Sequence, residues 1–517
     1  MTTNPIHLLW FRRDLRLTDN EIVTLATANN APVLPFFIID PWFYQWADIG
    51  KARVRFLFES LEDLDCNLQN FGSRLILLEG NSIDVLQEIT RQLIEEKYKP
   101  KLYFNRDVQV EYGIDRDKAI IDLYENLNLD FHLGLSTFLQ AQDNRSQWFQ
   151  EYYSYQRQST FLTPESINVP LISLRLPQIT FTELKHKYHH FWSTNKVYFR
   201  GGETQAQAML GSFLEGRFNG YHWKLSRPWL AQQKATSHLS PHLAFGTTST
   251  RTVYQRTKMR AEELKTENQP KAEFSLKAFR DRLRWRDSFT QRLYFYPEIA
   301  YKNRYPEFDE WYTLESLSPQ KQELFHAFKE GLTGFPLVDA SMRQLKAMGW
   351  MNFRMRAMCA TFLTINCGIS WHHGAKHYMN YLVDGDLAIN NWQWQMQAGI
   401  TNPLSETFRI YNPNKNIQDK DPYLKFIYYW VDELRGYSLP EIIQAKYAGS
   451  SSYPQPIVDW SYTRKANGKI ISQLRKKVRE RLILEGGEEY KSAVAAKETV
   501  EKYWQYKDKE YKKIKGN

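Results

Sequence analysis

The first 130 residues alternate short apolar runs with amphipathic stretches, and few architectures accommodate that alternation. Ile6–Trp10, Val33–Ile39, Leu75–Leu78 and Lys101–Phe104 are mostly aliphatic or aromatic. Continuous apolar runs of this length predict strands covered on both faces, because a strand with one wet face would alternate. Between them, Ala52–Phe71 and Ser82–Lys97 repeat apolar residues at helical spacing. Strands separated by such helices are best satisfied by a parallel sheet with helices packed on it. No glycine-rich dinucleotide fingerprint follows the first run; Arg12, Arg13, Asp14 and Arg16 stand there instead. The usual dinucleotide grip is therefore not expected in this domain.

At 517 residues the chain exceeds what one core normally serves, so further domains are expected. From 135 to 197 the pattern loosens into Gln, Ser, Thr and Pro, which reads as a connector draped over the surface. From 198 to 462 the periodicity is helical, interrupted by proline-containing turns. The last stretch, 463–517, is basic and rich in Lys, Glu and Ala, and predicts helix with a break at Gly486-Gly487. The net charge of +10 belongs largely to this tail: Arg464 to Asn517 holds 16 Lys/Arg and 8 Asp/Glu, leaving +2 for the other 463 residues. Global basicity is thus weak evidence for nucleic acid, and local patches must decide. Three cysteines are too few for a disulfide framework or a four-cysteine cluster, and no metal site is expected. No apolar run approaches a membrane span, and Met-Thr-Thr-Asn-Pro lacks a signal-peptide pattern, so a cytoplasmic, monomeric protein is expected.

The aromatic content of 15% suggests stacking surfaces or a flat cofactor, and one segment concentrates the chemistry. Asp386, Asn390 and Trp394 fall at i, i+4 and i+8, one face of a helix if the segment is helical. A core face would carry aliphatics there. A carboxylate, an amide and an oxidisable indole suit a polar, redox-active ring better, although a capped core helix with a tryptophan cluster has the same spacing.

Several longer motifs occur in a fixed order: Trp10-Phe11-Arg12-Arg13-Asp14-Leu15-Arg16-Leu17-Thr18-Asp19-Asn20, Gly201-Gly202-Glu203-Thr204, and Thr236-Ser237-His238-Leu239-Ser240-Pro241. Gly334-Phe335-Pro336-Leu337-Val338-Asp339-Ala340, Asp384-Gly385-Asp386-Leu387-Ala388 and Tyr453-Pro454-Gln455-Pro456-Ile457-Val458-Asp459 follow. In these motifs and their order the chain resembles the photolyase/cryptochrome flavoproteins over nearly its whole length. The resemblance implies an α/β N-terminal domain with a parallel five-stranded, Rossmann-like sheet (1–134). It also implies an all-α C-terminal domain holding FAD in a bent shape.

The resemblance assigns Tyr221, Thr236, Ser237, Leu239, Ser240, Arg286, Trp350, Arg356, Asp384, Asp386 and Asn390 to FAD. Hydroxyls ahead of a helical run suit a pyrophosphate, although an ordinary N-cap box looks the same. Tyr221 departs from the family spacing. Arg356 and Asp384 match an ion pair near the isoalloxazine, where a guanidinium stabilises an anionic reduced ring and the carboxylate keeps it paired. Asn390 falls on the position facing flavin N5, where repair enzymes of the family carry Asn, plant cryptochromes Asp and insect-type ones Cys. Trp394 and Trp371 match the first two members of the tryptophan electron chain. Ser318 falls on the third position, with Trp311 or Tyr312 as substitutes.

The lesion pocket departs from the family. A flipped cyclobutane dimer would be read by two tryptophans, a glutamate, an Asn and a Met. Here Trp285 keeps one tryptophan, whereas the other positions hold Met396, Arg282, Phe353 and Ala357. Arg354 survives as a backbone-contact candidate, and the histidines of (6-4) photolyases are missing. Arg282 is a donor only and cannot accept a thymine N3–H. Basic residues interleaved with aromatics at Lys224–Arg227, Arg280–Arg286 and Asn412–Lys415 are candidate phosphate contacts. Phe104–Asp117 resembles the loop beside a second, antenna chromophore, and Tyr112-Gly113 leans toward an 8-HDF-type deazaflavin, with methenyltetrahydrofolate second. Two readings result. One is a light-driven carbon–carbon lyase of the deoxyribodipyrimidine photolyase type, acting on UV-damaged DNA. The other is a cryptochrome-type blue-light photoreceptor that signals to a protein partner through its tail.

Overall fold

In the computed structural model the residues described are 4–44, 50–108, 110–141, 144–192, 198–447 and 452–515. Five strands form one wholly parallel sheet: β1 (Asn4–Trp10), β2 (Val33–Ile39), β3 (Ile76–Glu79), β4 (Tyr98–Asn105) and β5 (Phe131–Gly134), in the order β3-β2-β1-β4-β5. Leu8 of β1 is in register with Leu34 on one side and Leu102 on the other, and all three are buried. Helices Lys51–Gln69 and Ser82–Glu95 cover the sheet, close to the expected spans. The second starts at Asn81, whose side chain accepts from the Ile83 N–H at 3.0 Å.

The chain leaves β1 where neighbouring strands diverge to either side, the point at which such sheets usually bind ligands. Here the arginine-rich segment joins the two domains instead. Arg13 donates from Nε and Nη2 to the Ala244 carbonyl (3.0 and 2.8 Å), and Arg16 Nη1 donates to the Gly246 carbonyl at 2.9 Å. Glu203 accepts from the Leu17 and Thr18 N–H groups (2.8 and 3.1 Å). Asp19 takes the Arg251 guanidinium in a fully buried pair. Gly246 sits at φ 65, and a Cβ there would overlap Arg13 backbone atoms, so no larger residue fits this seam.

Residues 135–197 do more than connect. They contain helices Arg145–Arg157 and Phe181–Lys187, neither predicted from the pattern, and the first buries Trp148 and Tyr152. Residues 193–197 and 142–143 of this stretch lie outside the described residues. The second domain is helical, and helices Pro270–Phe295, Pro319–Glu330, Pro336–Met348 and Pro413–Lys420 each begin on proline, which loses no helical N–H at that position. Its core collects Leu345, Met355, Trp371, Tyr378 and Trp394. It extends into the tail, because helix Trp460–Glu485 contributes Ile471, Leu474, Val478 and Leu482. Part of the tail's basic charge is also internal: Arg475 donates to the carbonyls of Gly399, Thr401, Asn402 and Ser405 at 2.6–2.9 Å. The break falls at Gly486, before the last helix, Gly487–Lys515. No helix among the described residues is long and apolar enough to cross a membrane.

Candidate functional site

Asp386, Asn390 and Trp394 do share a helix. Asp386 caps Leu387–Gln397 by accepting the Ile389 N–H at 3.2 Å, and all three side chains are buried. Asn390 donates from Nδ2 to the Ala375 carbonyl (3.1 Å) and to Asn391 Oδ1 (2.8 Å). A backbone carbonyl can only accept, so the amide orientation is fixed by chemistry. No described residue donates to Asn390 Oδ1, which leaves that acceptor for a ligand. Trp394 packs over helix Trp371–Tyr381, against Gly374 and edge-on to Tyr378 at 4.8 Å. Trp371 lies three residues before Gly374 and seven before Tyr378, on the same helix face. Its indole N–H donates to Asn303 Oδ1 at 2.7 Å, and His372 stacks on it at 3.8 Å. The Ser318 side chain caps helix Pro319–Glu330 by accepting from the Lys321 N–H. Tyr312 is fully buried and donates to the Ala398 carbonyl at 3.0 Å; Trp311 is its half-buried neighbour.

Arg356 Nη2 donates to both Asp384 oxygens at 3.0 and 2.9 Å, and its Nε donates to the Met351 carbonyl at 2.8 Å. Two further cations come from the α/β domain. Arg13 lies 3.7 Å from Asp386, and the half-buried Arg53 donates to the Met379 and Leu382 carbonyls at 2.6 and 3.2 Å. Burial and the nearby Arg13 pull the Arg53 pKa down to about 10, and Asp384 and Asp386 oppose the shift. Arg53 stays charged at neutral pH. Sequence reasoning missed it, since nothing in Lys51–Gln69 marks this residue.

Thr236, Ser237, Leu239 and Ser240 form a bend before a helix of only five residues, Ser240–Ala244. The bend is held by Arg217, which donates to the Lys234 carbonyl at 2.8 Å and also to that of Thr236, and by His238 at φ 56. His238 donates from Nε2 to the Ala231 carbonyl at 2.8 Å and packs on Trp350 at 4.8 Å. Arg286 reaches the same short helix through the Leu243 carbonyl (2.8 Å) and pairs with Asp287. Tyr221 is buried edge-on to Phe279 at 5.4 Å. These groups, the half-buried guanidinium–carboxylate pair and the unspent amide oxygen fit a flavin dinucleotide.

The altered lesion positions also cluster. The Arg282 and Arg354 guanidinium groups lie 5.1 and 5.3 Å from the ring of Phe353, and Arg354 donates to the Tyr411 hydroxyl at 2.7 Å. Burial, with Arg409 and Arg282 nearby, lowers the Arg354 pKa. Trp285 stacks with Phe289 at 6.1 Å; Met396 is half-buried and Ala357 buried. In the antenna-like loop, Tyr112 stacks on Trp42 at 4.3 Å and donates to Asp40 at 2.6 Å; Gln109 lies outside the described residues. Among the described residues no three His, Cys, Asp or Glu side chains are placed to hold a metal.

Comparison with known proteins agrees with this geometry. Residues 7–156 match the DNA photolyase family and residues 279–473 the FAD binding domain of DNA photolyase. The chain is 30% identical to the deoxyribodipyrimidine photo-lyase of Synechococcus sp., over 92% of this chain and 98% of that one. It is also 30% identical to cryptochrome DASH of Danio rerio, over 92% and 95%. An archaeal photolyase from Sulfolobus tokodaii, solved with two FAD molecules, superposes with a TM-score of 0.71 at 28% identity, over 90% of this chain and 99% of that one. With an FAD-binding domain built on these helices and a parallel sheet joined to it by the opening motif, the chain belongs to the photolyase/cryptochrome family.

Proposed function

We propose that the chain is a light-driven lyase that repairs UV-induced pyrimidine photoproducts in DNA. Bound FAD would supply an excitable one-electron donor. The protein's residues then have three tasks. Tyr221, Thr236, Ser237, Leu239, Ser240, Arg286 and Trp350 hold the dinucleotide; Arg356, Asp384 and Asp386 set the charge around its ring. Trp394 and Trp371 pass electrons inward. Arg282, Trp285, Phe353, Arg354 and Met396 form the mouth that receives a flipped base.

The observation that carries the reading is the hydrogen bonding of Asn390. With Nδ2 committed to Ala375, only a neutral acceptor remains for a ring nitrogen. This oxygen would accept the N–H of a reduced ring, and the amide offers no acidic proton. The pocket thus favours the reduced state that donates electrons. The Arg282–Phe353–Arg354 stack supports a base or phosphate contact of changed preference, since guanidinium groups donate to carbonyls and phosphates. We further propose an antenna, a deazaflavin of the 8-HDF type or a methenyltetrahydrofolate, beside Phe104–Asp117.

A second reading is a blue-light photoreceptor with a protein partner, favoured by the loss of acceptors at Arg282, Phe353, Ala357 and Met396. The test is illumination of the FAD-loaded, reduced protein with single-stranded and duplex DNA carrying either photoproduct, followed by product analysis. Light-dependent recovery of intact pyrimidines supports the lyase. Recovery from neither lesion removes it and leaves the photoreceptor.

A further inference from the structure

The last helix, Gly487–Lys515, lies along the wall assigned to the lesion. It departs from Trp460–Glu485 at Gly486-Gly487, where φ values of 62 and 68 make a joint suited to glycine. Its first turn is anchored by Glu489, whose carboxylate takes Arg304 Nη1 at 2.9 Å and Arg481 Nη1 at 3.0 Å. Ala493 and Ala496 are buried, so this part of the helix lies flat on the body of the protein. Farther along, the Tyr503 ring meets Trp285 edge-on, with centroids 6.0 Å apart and planes at 85°. Three residues later, the Lys277 ammonium lies 4.6 Å from the ring of Tyr506. Lys277 and Trp285 are eight residues apart on helix Pro270–Phe295, which also carries Arg282 between them. Arg282 is close enough to Tyr503 to influence its phenol.

We propose that this helix is a self-supplied cover on the rim of the cavity. Tyr503 packs against the Trp285 indole, so a base brought to that ring meets the helix, and DNA and the helix compete for one surface. This rests on the lyase reading for the identity of the competitor, but not for the cover itself. The near end of the helix is held by the two ion pairs of Glu489 and by the buried Ala493 and Ala496, and opening is the lifting of the turns beyond them, which carry Tyr503 and Tyr506.

The test uses the full FAD-loaded chain and its Tyr503→Ala/Tyr506→Ala variant. Binding of a single-stranded oligonucleotide carrying one cyclobutane dimer is read by anisotropy in the dark, with an undamaged strand as control. Amide exchange across Gly487–Lys515 is followed with and without that oligonucleotide. Separately, without DNA, the rate at which ferricyanide re-oxidises the photoreduced flavin is measured. The variant should bind the damaged strand about fivefold tighter or more, the factor expected if the rim is uncovered in roughly a fifth of molecules or fewer. Bound oligonucleotide should speed exchange in the distal half of the helix, and ferricyanide should act faster on the variant. An unchanged ferricyanide rate, with exchange unaffected by bound oligonucleotide, overturns the proposal. Faster re-oxidation in the variant with no binding by either protein upholds the cover and removes the lyase reading instead.

Discussion

Replacing Asp384 with Asn should cost the helical domain several degrees of thermal stability. Arg356 Nη2 donates to both Asp384 oxygens, and its Nε is held by the Met351 carbonyl, so the guanidinium cannot swing to another partner. Arg53 and Arg13 bring two more cations to the same place. Without the carboxylate, Arg356 would lose its ion-pair partner while Arg13 and Arg53 stay nearby. Breaking a fully buried pair costs roughly 3–5 kcal/mol. The Arg356 side chain keeps 26% of its surface in water, which lowers the expectation to roughly 2–3 kcal/mol. For a domain of this size each kcal/mol is worth about 2–4 °C, giving a fall of about 4–12 °C. Flavin fluorescence on heating, checked by circular dichroism, measures the midpoint. Glu310→Gln is the control, because the Lys477–Glu310 pair is exposed at both ends and should shift the midpoint by less than about 1 °C. An Asp384→Asn midpoint no lower than that control refutes the reasoning.

Other substitutions test the electron path and the buried histidines. Gly374→Ala would put a methyl group into the Trp394 ring, so we expect about 1–3 kcal/mol of destabilisation from overpacking and slower flavin photoreduction by transient absorption. Ser318→Ala should leave photoreduction unchanged, whereas Tyr312→Phe or Trp311→Phe should shorten the lifetime of the charge-separated state; equal lifetimes in all three would exclude both residues as the terminal donor. Burial pulls the His238 pKa down to about 4, while an unfolded imidazole titrates near ~6.5. The unfolded chain therefore binds more protons between these values. The stability from keeping His238 neutral is present above pH ~6.5 and lost as pH falls toward ~4. Denaturation midpoints of the chain and of His238→Asn should converge over that window; a constant difference would contradict the assignment.

The sheet was legible because strands covered on both faces must be continuously apolar, as in Val33–Ile39; the prolines, read as turn markers, stand instead at the first position of helices such as Pro336–Met348. Helix Arg145–Arg157 was not. It is held by Trp148 and Tyr152 within an otherwise polar stretch, and two rings make a weak period. The face of Asp386, Asn390 and Trp394 could be read from spacing alone, since capping and periodicity lie within nine residues. Arg53 at the Asp384 loop, Asn303 on Trp371 and Tyr503 on Trp285 could not, because each contact joins positions that only the tertiary fold brings together. The tail's charge was rightly discounted as a DNA signal, and the fold adds a reason that spacing could not supply: Arg475 satisfies four carbonyls inside the domain.

The account depends on light moving an electron to bound flavin through the indole packed between Gly374 and Tyr378. Transient absorption after a blue flash, on the FAD-loaded chain and on Trp394→Phe, measures this directly. The unsubstituted protein should show flavin reduction together with an indole radical signal, and the variant should show neither on that timescale. Identical kinetics in the two proteins would contradict the account.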